Sequence, residues 1–198
     1  MKLTALKQLT ADAEERSRSA AVRFAAAAYK EGLLDLAWGS VDSPFGPLLV
    51  VVGDRGLVRL AYPDDVEEEL DKLGRRISPR MLESRSRTDA VRRELEGYFE
   101  GSRRRFRLRV DLSLSNGFAR KVLEETAKIP YGSVRTYGQV AGAAGSPRAM
   151  RAAGNALASN PIPIVVPCHR VVASGGGLGG YTGGLDRKRF LLSLEGVM

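Results

Sequence analysis

The sequence predicts an α+β protein, in which a small N-terminal domain of sheet plus helix is followed by a mainly helical C-terminal domain with a helix-turn-helix. Short β-branched runs concentrate between Trp38 and Tyr62, whereas apolar residues at helical spacing dominate beyond Gly117. Hydrophobic residues make up 43% of the 198 positions, enough for a folded core. We therefore divide the chain into an N-terminal helical extension (1–35), an α/β domain (36–113) and a C-terminal domain (114–198).

The N-terminal extension is predicted to be one alanine-rich helix over residues 1–35. Thr10 and Asp12 are of the residue types that cap helices and stand near its expected start, and Gly32 is a suitable stop. The extension carries no chemical motif, so the sequence assigns it no role.

A β-hairpin is expected next, because the apolar runs 48–52 and 57–62 are separated by the turn sequence Gly-Asp-Arg-Gly. Pro63 then opens a short acidic helix, and Gly74 lies where that helix can end.

The remaining elements of the α/β domain are predicted from the places where the periodic spacing of apolar residues is interrupted. Residues 75–87 are basic and lack apolar periodicity, which indicates a loop, and Thr88 then caps a helix that ends near Gly101. Residues 106–110 alternate apolar side chains with arginine, as in an edge strand with an arginine face. The domain boundary is expected at 110–117.

The C-terminal domain begins with a predicted helix over 118–129. A short helix over 137–144, a turn at Gly145 and a further helix capped by Ser146 with Pro147 as its first residue follow. This order is typical of a helix-turn-helix nucleic-acid reader, but helix pairs joined by tight turns are also common in ordinary helical domains.

The second helix of the pair carries Arg148, Arg151 and Asn155 at helical spacing. The residues between them are small, so the helix surface has little side-chain bulk: Ala149, Ala152, Ala153, Gly154 and Ala156. A low helix surface can approach a sugar-phosphate backbone closely and push one long side chain into the base stack, and Arg151 is the candidate. Tight helix-helix packing with solvated arginines explains the same pattern, and the helix alone favours that alternative.

Charge and composition narrow the class of protein. Lys and Arg number 31 against 23 Asp and Glu, a net charge of +8 that favours polyanionic partners such as nucleic acid, although it also serves solubility. The sequence shows no signal peptide and no membrane-spanning run. One cysteine and one histidine can form neither an internal disulfide nor a structural zinc site, which indicates a reducing, cytoplasmic compartment.

The only cysteine and the only histidine are adjacent, at Cys168 and His169. A thiol reacts as its thiolate and needs a base to remove the proton, which histidine commonly supplies. A buried apolar role for Cys168 is an equally good explanation, because residues 162–166 before it predict a buried strand. The glycine-rich stretch that follows can form a pocket wall with Tyr181 and Thr182, or a flexible surface loop.

A series of motifs resembles the O6-alkylguanine-DNA alkyltransferase family. They run from Ile-Pro-Tyr-Gly at 129–132 and Thr-Tyr at 136–137 to Gly-Ser-Pro at 145–147, Arg-Ala-Ala-Gly at 151–154, Asn-Pro at 160–161, Pro-Cys-His-Arg-Val at 167–171, Gly-Tyr-Thr-Gly-Gly at 180–184 and Leu-Leu-Ser-Leu-Glu-Gly at 191–196. Each motif alone is weak, but their shared order and spacing are highly specific.

The resemblance implies a C-terminal domain that binds DNA and accepts an alkyl group. Glu195 would orient His169, which would draw the proton of Cys168 through an ordered water. The thiolate would attack the alkyl carbon on O6 of guanine in double-stranded DNA, with O4 of thymine as a second candidate substrate. The thioether is stable, so the protein would act once. The resemblance implies no cofactor and no metal, and we expect a monomer.

The resemblance also implies roles in binding. Tyr137 would rotate the nucleotide out of the helix, Arg151 would fill its place, and Asn160 would brace the turn beside the sulfur. The remaining members of the implied DNA-binding set are Thr136, Arg148, Ala152 and Gly154. The flipped base would contact Tyr181, Thr182 and Gly183, and its amino group the carbonyl of Val171.

Two departures and two alternatives accompany this interpretation. The family usually has a Phe-Gln pair and a tryptophan where this chain has Phe118-Ala119 and Leu123, and these changes concern packing more than chemistry. The residues before Trp38 match nothing in the family pattern. A non-catalytic protein that binds alkylated DNA and recruits excision repair is the main alternative, although relatives of that type replace the cysteine. A cysteine hydrolase ranks last, because no oxyanion hole is evident.

Overall fold

A computed structural model describes the backbone of residues 2–198 and the side chains of residues 12–13, 15–17 and 19–198. Helix α1 spans Lys2–Lys30 and is followed by Gly32 at φ 68°, so the expected stop is confirmed. The predicted start at residue 1 is also confirmed, since the helix begins at Lys2; Thr10 and Asp12 therefore lie within the helix and do not mark its start.

The N-terminal sheet has four strands in the order β3-β2-β1-β4. They are β1 (Leu36–Val41), β2 (Leu48–Gly53), β3 (Gly56–Ala61) and β4 (Met81–Glu83). The β2-β3 hairpin is confirmed, with Gly53 paired to Gly56. The loop predicted over 75–87 is wrong in part, because it contains β4, which pairs in parallel with β1. Three residues are too few to show a strand period in sequence.

Helix α2 spans Val66–Arg76 and is capped by Asp65, whose carboxylate accepts from the backbone N–H of Glu68 at 3.1 Å. The predicted end at Gly74 is wrong. The helix continues through Gly74 because the N–H of Ile77 still bonds to the helix, at the carbonyl of Leu73. The hydrogen-bond ladder outweighs the weak preference of glycine for helix ends.

Helix α3 spans Arg85–Phe99 and packs across β1 and β2. It begins after Ser84 and not at Thr88, which is buried in the first turn with its hydroxyl donating to the Ser84 carbonyl at 3.1 Å. Its end before Gly101, at φ 73°, is confirmed. Near its start, α3 also contacts the C-terminal end of α1, where the guanidinium of Arg87 lies 3.3 Å from the centroid of the Tyr29 ring. This cation–π contact links the N-terminal extension to the sheet domain.

The edge strand predicted over 106–110 is wrong. The segment makes one isolated parallel bridge, between Leu57 and Val110. Leu57 donates to the carbonyl of Arg109 and accepts from the N–H of Asp111, each at 2.8 Å. The alternating pattern reflects an extended connection with apolar side chains turned inward, without a full ladder to a neighbour.

The C-terminal domain is mainly helical, so the predicted fold class is confirmed. Its elements are α4 (Gly117–Thr126), α5 (Tyr137–Ala143), α6 (Met150–Ala158), α7 (Leu185–Leu194) and the parallel pair β5 (Arg135–Thr136) and β6 (Val171–Val172). Helix α4 is shorter than the predicted 118–129, which leaves Ile129 buried in the turn after it. Helices α4, α5 and α6 contact one another, and Gly145, at φ 87°, turns the chain between α5 and α6.

Helix α6 begins later than predicted. Ser146 and Pro147 form a turn, in which the N–H of Ala149 donates to the carbonyl of Ser146 at 2.9 Å, and the helix starts at Met150. Arg148 therefore lies in the turn and not on the helix, contrary to the predicted spacing.

The buried strand predicted over 162–166 is also wrong. This segment is a tight turn in which Ile164, fully buried, adopts φ 70°. A β-branched residue at positive φ is strained, and the surrounding core holds it there. One hydrophobic cluster runs through both domains and includes Leu95, Val122 and Ile164. Across the described residues, none of the helices is apolar over a length that could cross a membrane.

Candidate active site

The site forms where four elements meet. Cys168–Arg170 make one turn of 3₁₀-helix just before β6, and Glu195 caps the end of α7. Asn160 follows α6, and Tyr137 begins α5. The sequence motifs thus converge on one cluster, although Tyr137 and Glu195 are 58 positions apart in the chain.

The sulfur of Cys168 is held by a side-chain amide. Asn160 Nδ2 donates to Cys168 Sγ at 3.1 Å and to the carbonyl of Val166 at 2.8 Å, while its Oδ1 accepts from the N–H of Ile162 at 3.0 Å. Cys168 is 7% exposed, and burial raises the pKa of its thiol to about 11, opposed by the Asn160 bond and the charge of Lys188. The resting group is therefore a thiol, with a donor in place for the thiolate.

His169 is fully buried and bonds to Glu195, with 2.9 Å between Nε2 and Oε1. Burial lowers the pKa of His169, although the bond to Glu195 opposes that effect, so the ring is neutral at pH 7. Because Nε2 carries the proton shared with the carboxylate, Nδ1 is the free acceptor. Nδ1 is buried without a hydrogen-bond partner among the described residues.

Two further side chains hold the carboxylate of Glu195. Arg170 donates through Nε to Oε2 at 2.8 Å and through Nη2 to Oε1 at 2.9 Å, and the hydroxyl of Tyr98 donates to Oε1 at 2.7 Å. Arg170 also donates to the carbonyl of Ile129 at 2.6 Å. Burial alone would raise the pKa of Glu195, but the bonds from His169 and Arg170 lower it to about 2. The carboxylate stays charged beside His169.

Lys188 is a buried cation behind the turn. Its Nζ donates to the carbonyls of Val171 at 2.6 Å, Gly180 at 3.2 Å and Leu178. In the part of the chain that the structure describes, Lys188 has no carboxylate partner. Burial lowers its pKa to about 8, opposed by charge on Cys168. The carbonyl of Val171 that was expected to meet a guanine amino group is thus already bonded, although a carbonyl has a second lone pair.

A cavity of about 490 Å³ opens on Cys168 from the side of α6. Its wall includes the predicted residues Tyr137, Arg151, Gly154, Tyr181 and Thr182. Arg151 is exposed and forms no ion pair in the described chain. A larger cavity, of about 880 Å³, lies along 93–107 but contains none of the predicted site residues, so size does not mark the site.

Several predicted DNA-binding residues lie outside this cavity. Arg148 and Ala152 are exposed, and neither lines the wall. Thr136 caps α5, its hydroxyl accepting from the N–H of Gln139 at 3.2 Å. Gly154, by contrast, lines the cavity, and a Cβ there would make only ordinary van der Waals contact with the ring of Tyr137, at 3.9 Å.

The predicted base-contacting residues differ in whether their polar groups are already hydrogen-bonded within the protein. Thr182 uses its hydroxyl to donate to the carbonyl of Ala158 at 2.7 Å. Gly183 accepts from Arg187 at 3.0 Å, and its lack of a side chain leaves room for Tyr181, whose ring a Cβ would approach within 2.7 Å. The hydroxyl of Tyr181 is buried near that of Tyr62, but forms no hydrogen bond of good geometry in the described structure.

Sequence reasoning missed three members of the cluster. Arg170 stands within the cysteine motif, but nothing in its sequence context indicates that its side chain turns inward to Glu195. Tyr98 was assigned only to a helix core, and Lys188 lies on a helix with other basic residues. No signal in the sequence distinguishes these buried polar groups from solvated ones. The described residues contain no group of three or more His, Cys, Asp and Glu suited to a metal ion.

Two family models match the chain. The model described as 6-O-methylguanine DNA methyltransferase, ribonuclease-like domain, matches residues 36–112, and the one described as 6-O-methylguanine DNA methyltransferase, DNA binding domain, matches residues 117–197. The N-terminal extension lies outside both matches.

Curated relatives agree with these models. The chain is 39% identical over 158 residues to the methylated-DNA–protein-cysteine methyltransferase of Methanosarcina barkeri, covering 78% of this chain and 94% of that protein. It is 43% identical over 156 residues to the protein of the same name from Mycolicibacterium paratuberculosis, covering 79% and 90%.

Solved structures agree as well. The O6-methylguanine methyltransferase of Mycobacterium tuberculosis superposes with a TM-score of 0.70 at 35% identity, covering 81% of this chain and 92% of the other. A structure from that organism in complex with DNA gives a TM-score of 0.69 at 35% identity, covering 80% and 92%.

Proposed function

The chain belongs to the 6-O-methylguanine DNA methyltransferase family, and from that premise we propose that it repairs DNA by direct transfer of an alkyl group from guanine O6 to Cys168. One observation carries the assignment to this residue. The sulfur lies at the wall of a cavity beside α6, 3.1 Å from the Asn160 amide, and the next residue is a histidine bonded to a buried carboxylate.

The reaction first requires deprotonation of the thiol, which is unfavourable because burial raises the pKa of Cys168 well above neutral pH. His169 supplies the base at Nδ1, through the bridging water that the family resemblance implies. Glu195 stabilises the imidazolium that results, since it is already charged and bonded to Nε2. Asn160 stabilises the sulfur as it becomes an anion.

Alkyl transfer then exchanges one bond for another. The thiolate attacks the alkyl carbon in line with the C–O6 bond, a C–S bond forms, and guanine leaves with the electron pair of the broken bond. The proton held by His169 returns to the departing guanine, so thiol and alkylguanine become thioether and guanine. Because a thioether is stable and the described site has no second thiol, each protein molecule acts once.

DNA engagement is assigned to α6 and the start of α5. A base inside a duplex cannot reach a sulfur in a cavity, so the nucleotide must rotate out at a cost of a few kcal/mol. Arg151 is exposed in the wall of the cavity and takes the vacated place, and Tyr137 lines the same cavity. We assign Arg148 to phosphate contact, since it lies in the turn before α6.

We further propose that the protein works as a monomer in the cytoplasm. Each copy carries its own complete set of site residues, and the free thiol must stay reduced to react. The domain limits 36–113 and 114–198 and the DNA contacts of Thr136, Ala152 and Gly154 remain predictions.

The test is intact-mass measurement after incubation with a duplex oligonucleotide that carries one O6-methylguanine. We expect a mass increase of one methyl group, on Cys168, which stops at one equivalent however much DNA is added. Cys168→Ala is the control, and it should bind the same DNA without gaining mass. Tight binding by an unmodified wild-type protein would instead indicate a damage-recognition protein, and catalytic turnover would contradict the single-use mechanism.

A further inference from the structure

The arginine-rich segment 103–109 has no part in the proposed reaction. From residue 105 onwards, exposed arginines alternate with half-buried apolar side chains that pack against the hydrophobic core. Because the apolar side chains fix one face of the segment inward, the arginines between them are held towards solvent. Four arginines of the segment are exposed, and we call them the arginine strip: Arg104, Arg105, Arg107 and Arg109.

The arginine strip lacks carboxylate partners. Elsewhere an exposed arginine such as Arg93 pairs with an acid on its own helix, Asp89, at 2.8 Å. Among the described residues, no carboxylate forms an ion pair with any of the four strip arginines. Glu94, which reaches the segment, instead accepts from the backbone N–H of Arg107 at 2.7 Å and lies 3.6 Å from Arg103. Uncompensated positive charges this close together in the chain favour a polyanionic partner.

The cavity of about 880 Å³ along 93–107 borders the strip on one side. Its wall includes five arginines but two acids, Glu96 and Glu100. Glu96 is already bonded to Arg92 at 2.7 Å, so Glu100 is the one unpaired acid among the described residues of that wall. Positive charge therefore predominates in this cavity.

A further cavity, of about 820 Å³, lies between the strip and the C-terminal domain, and we call it the basic cavity. Its described wall contains no acidic side chain but four basic ones: Arg104, Arg105, Lys128 and Arg170. Lys128 and Arg170 are paired with Glu125 and Glu195, which lie outside the wall. The uncompensated charge in the basic cavity is thus that of the arginine strip.

The basic cavity and the cavity beside α6 lie on different sides of the turn that carries the cysteine. Cys168 borders the cavity beside α6, whereas Arg170 borders the basic cavity, and the two cavities share no wall residue. A 3₁₀-helix has three residues per turn, so side chains two residues apart point in directions roughly 120° apart. A duplex held against α6 through Arg151 therefore leaves the arginine strip uncovered.

The spacing of the strip suits a nucleic-acid backbone. An extended chain rises about 3.3 Å per residue, so alternate side chains stand about 6.6 Å apart. One DNA strand carries a phosphate about every 3.4 Å along the helix axis, so alternate arginines are spaced to meet alternate phosphates. A guanidinium group also binds phosphate through two parallel N–H donors. A row of phosphates can engage the whole strip, whereas a single small anion cannot.

We propose that the arginine strip binds the phosphate backbone of a second DNA segment while α6 holds the segment that carries the lesion. The inference rests on the assignment of α6 made under the proposed function. The second segment is duplex DNA of any sequence, because contacts to phosphates carry no base information. Holding two segments at once lets the protein pass to a new stretch of DNA before it releases the old one.

The first test counts duplexes per protein by native mass spectrometry, with an undamaged duplex of about two helical turns, ~20 bp, in excess over protein. We expect two duplexes on the wild type and one on the triple variant Arg105→Gln, Arg107→Gln, Arg109→Gln. The triple variant should keep the wild-type rate of methyl transfer at saturating protein, which also shows that it is folded.

The second test measures the salt dependence of binding of the second duplex. Each phosphate contact contributes about 0.9 to the slope of log K against log salt concentration. Arg107→Gln should therefore lower that slope by about 0.9 and weaken the second site by up to about eight-fold at ~0.1 M salt. Binding of the first duplex should keep its wild-type slope.

A matched control removes the same charge from other elements. The triple variant Arg75→Gln, Arg85→Gln, Arg189→Gln replaces exposed arginines of α2, α3 and α7 and should still bind two duplexes. One duplex on the wild type, two on the strip variant, or one on the control variant would overturn the inference while methyl transfer stands. A wild type that neither binds duplex DNA nor accepts methyl would instead refute the proposed function.

Discussion

Replacing Glu195 by glutamine is the most informative single change in the site. Glu195→Gln keeps the side-chain volume but removes the negative charge that faces Arg170 and His169, leaving the buried guanidinium of Arg170 without its counterion. Breaking a buried ion pair from one side costs about 3–5 kcal/mol. Holding the pKa of Glu195 at about 2 instead of 4.5 corresponds to a similar figure, about 3 kcal/mol of folding free energy.

The pH dependence identifies the cause of the loss. A carboxylate whose pKa is lowered by folding stabilises the protein fully above its unfolded pKa, near 4.5, and loses that contribution as pH falls towards 2. The gap in unfolding free energy between wild type and Glu195→Gln should therefore be full at pH 7 and roughly 40% of that near pH 3.

Urea unfolding followed by fluorescence of Trp38, the only tryptophan, and by far-UV circular dichroism measures this gap at both pH values. The control is Glu124→Gln, which breaks an exposed ion pair with Arg120 at 3.0 Å and should cost below ~1 kcal/mol. A loss below ~1 kcal/mol for Glu195→Gln, or a gap equal at pH 7 and pH 3, would refute the reasoning.

The remaining predictions concern the sulfur and the DNA contact. Asn160→Ala should slow methyl transfer about ten-fold and move its rate–pH profile to higher pH, because the donor to Cys168 is lost, whereas Asn116→Ala should not. An unshifted profile would show that the amide only shapes the turn. Arg151→Ala should slow transfer about ten-fold from duplex but less from single-stranded DNA, which has no paired stack to fill. Arg148→Ala should weaken binding to both alike, and equal losses on both substrates for Arg151→Ala would contradict its proposed place.

Much of the fold could be predicted because its signals are local. Helical spacing, turn residues and glycines such as Gly101 and Gly145 depend on neighbours a few residues away, and they located the hairpin and the helix-turn-helix. The failures occurred where partners are distant. Residues 106–110 and 162–166 look like strands in isolation, but a strand exists only if another segment completes its ladder.

The candidate site also has features that the sequence reveals and features that only the structure shows. The adjacency of Cys168 and His169 is a property of the sequence, and so is the motif order that resembles the family. The bonds from Tyr98 and Arg170 to Glu195 are not, because Tyr98 lies 97 positions away from Glu195 and its spacing fits an ordinary helix core.

By itself, therefore, the sequence determined the reacting group, the family and the order of secondary structure, since residue types and short-range spacing carry that information. Only the tertiary structure decided which groups are ionised and what the sulfur can reach. Burial raises the pKa of Cys168, bonds from remote residues lower that of Glu195, and two cavities border the sulfur, one of them lined by Tyr62 of the other domain. These properties arise from distances through space and from exclusion of water, which chain order does not encode directly.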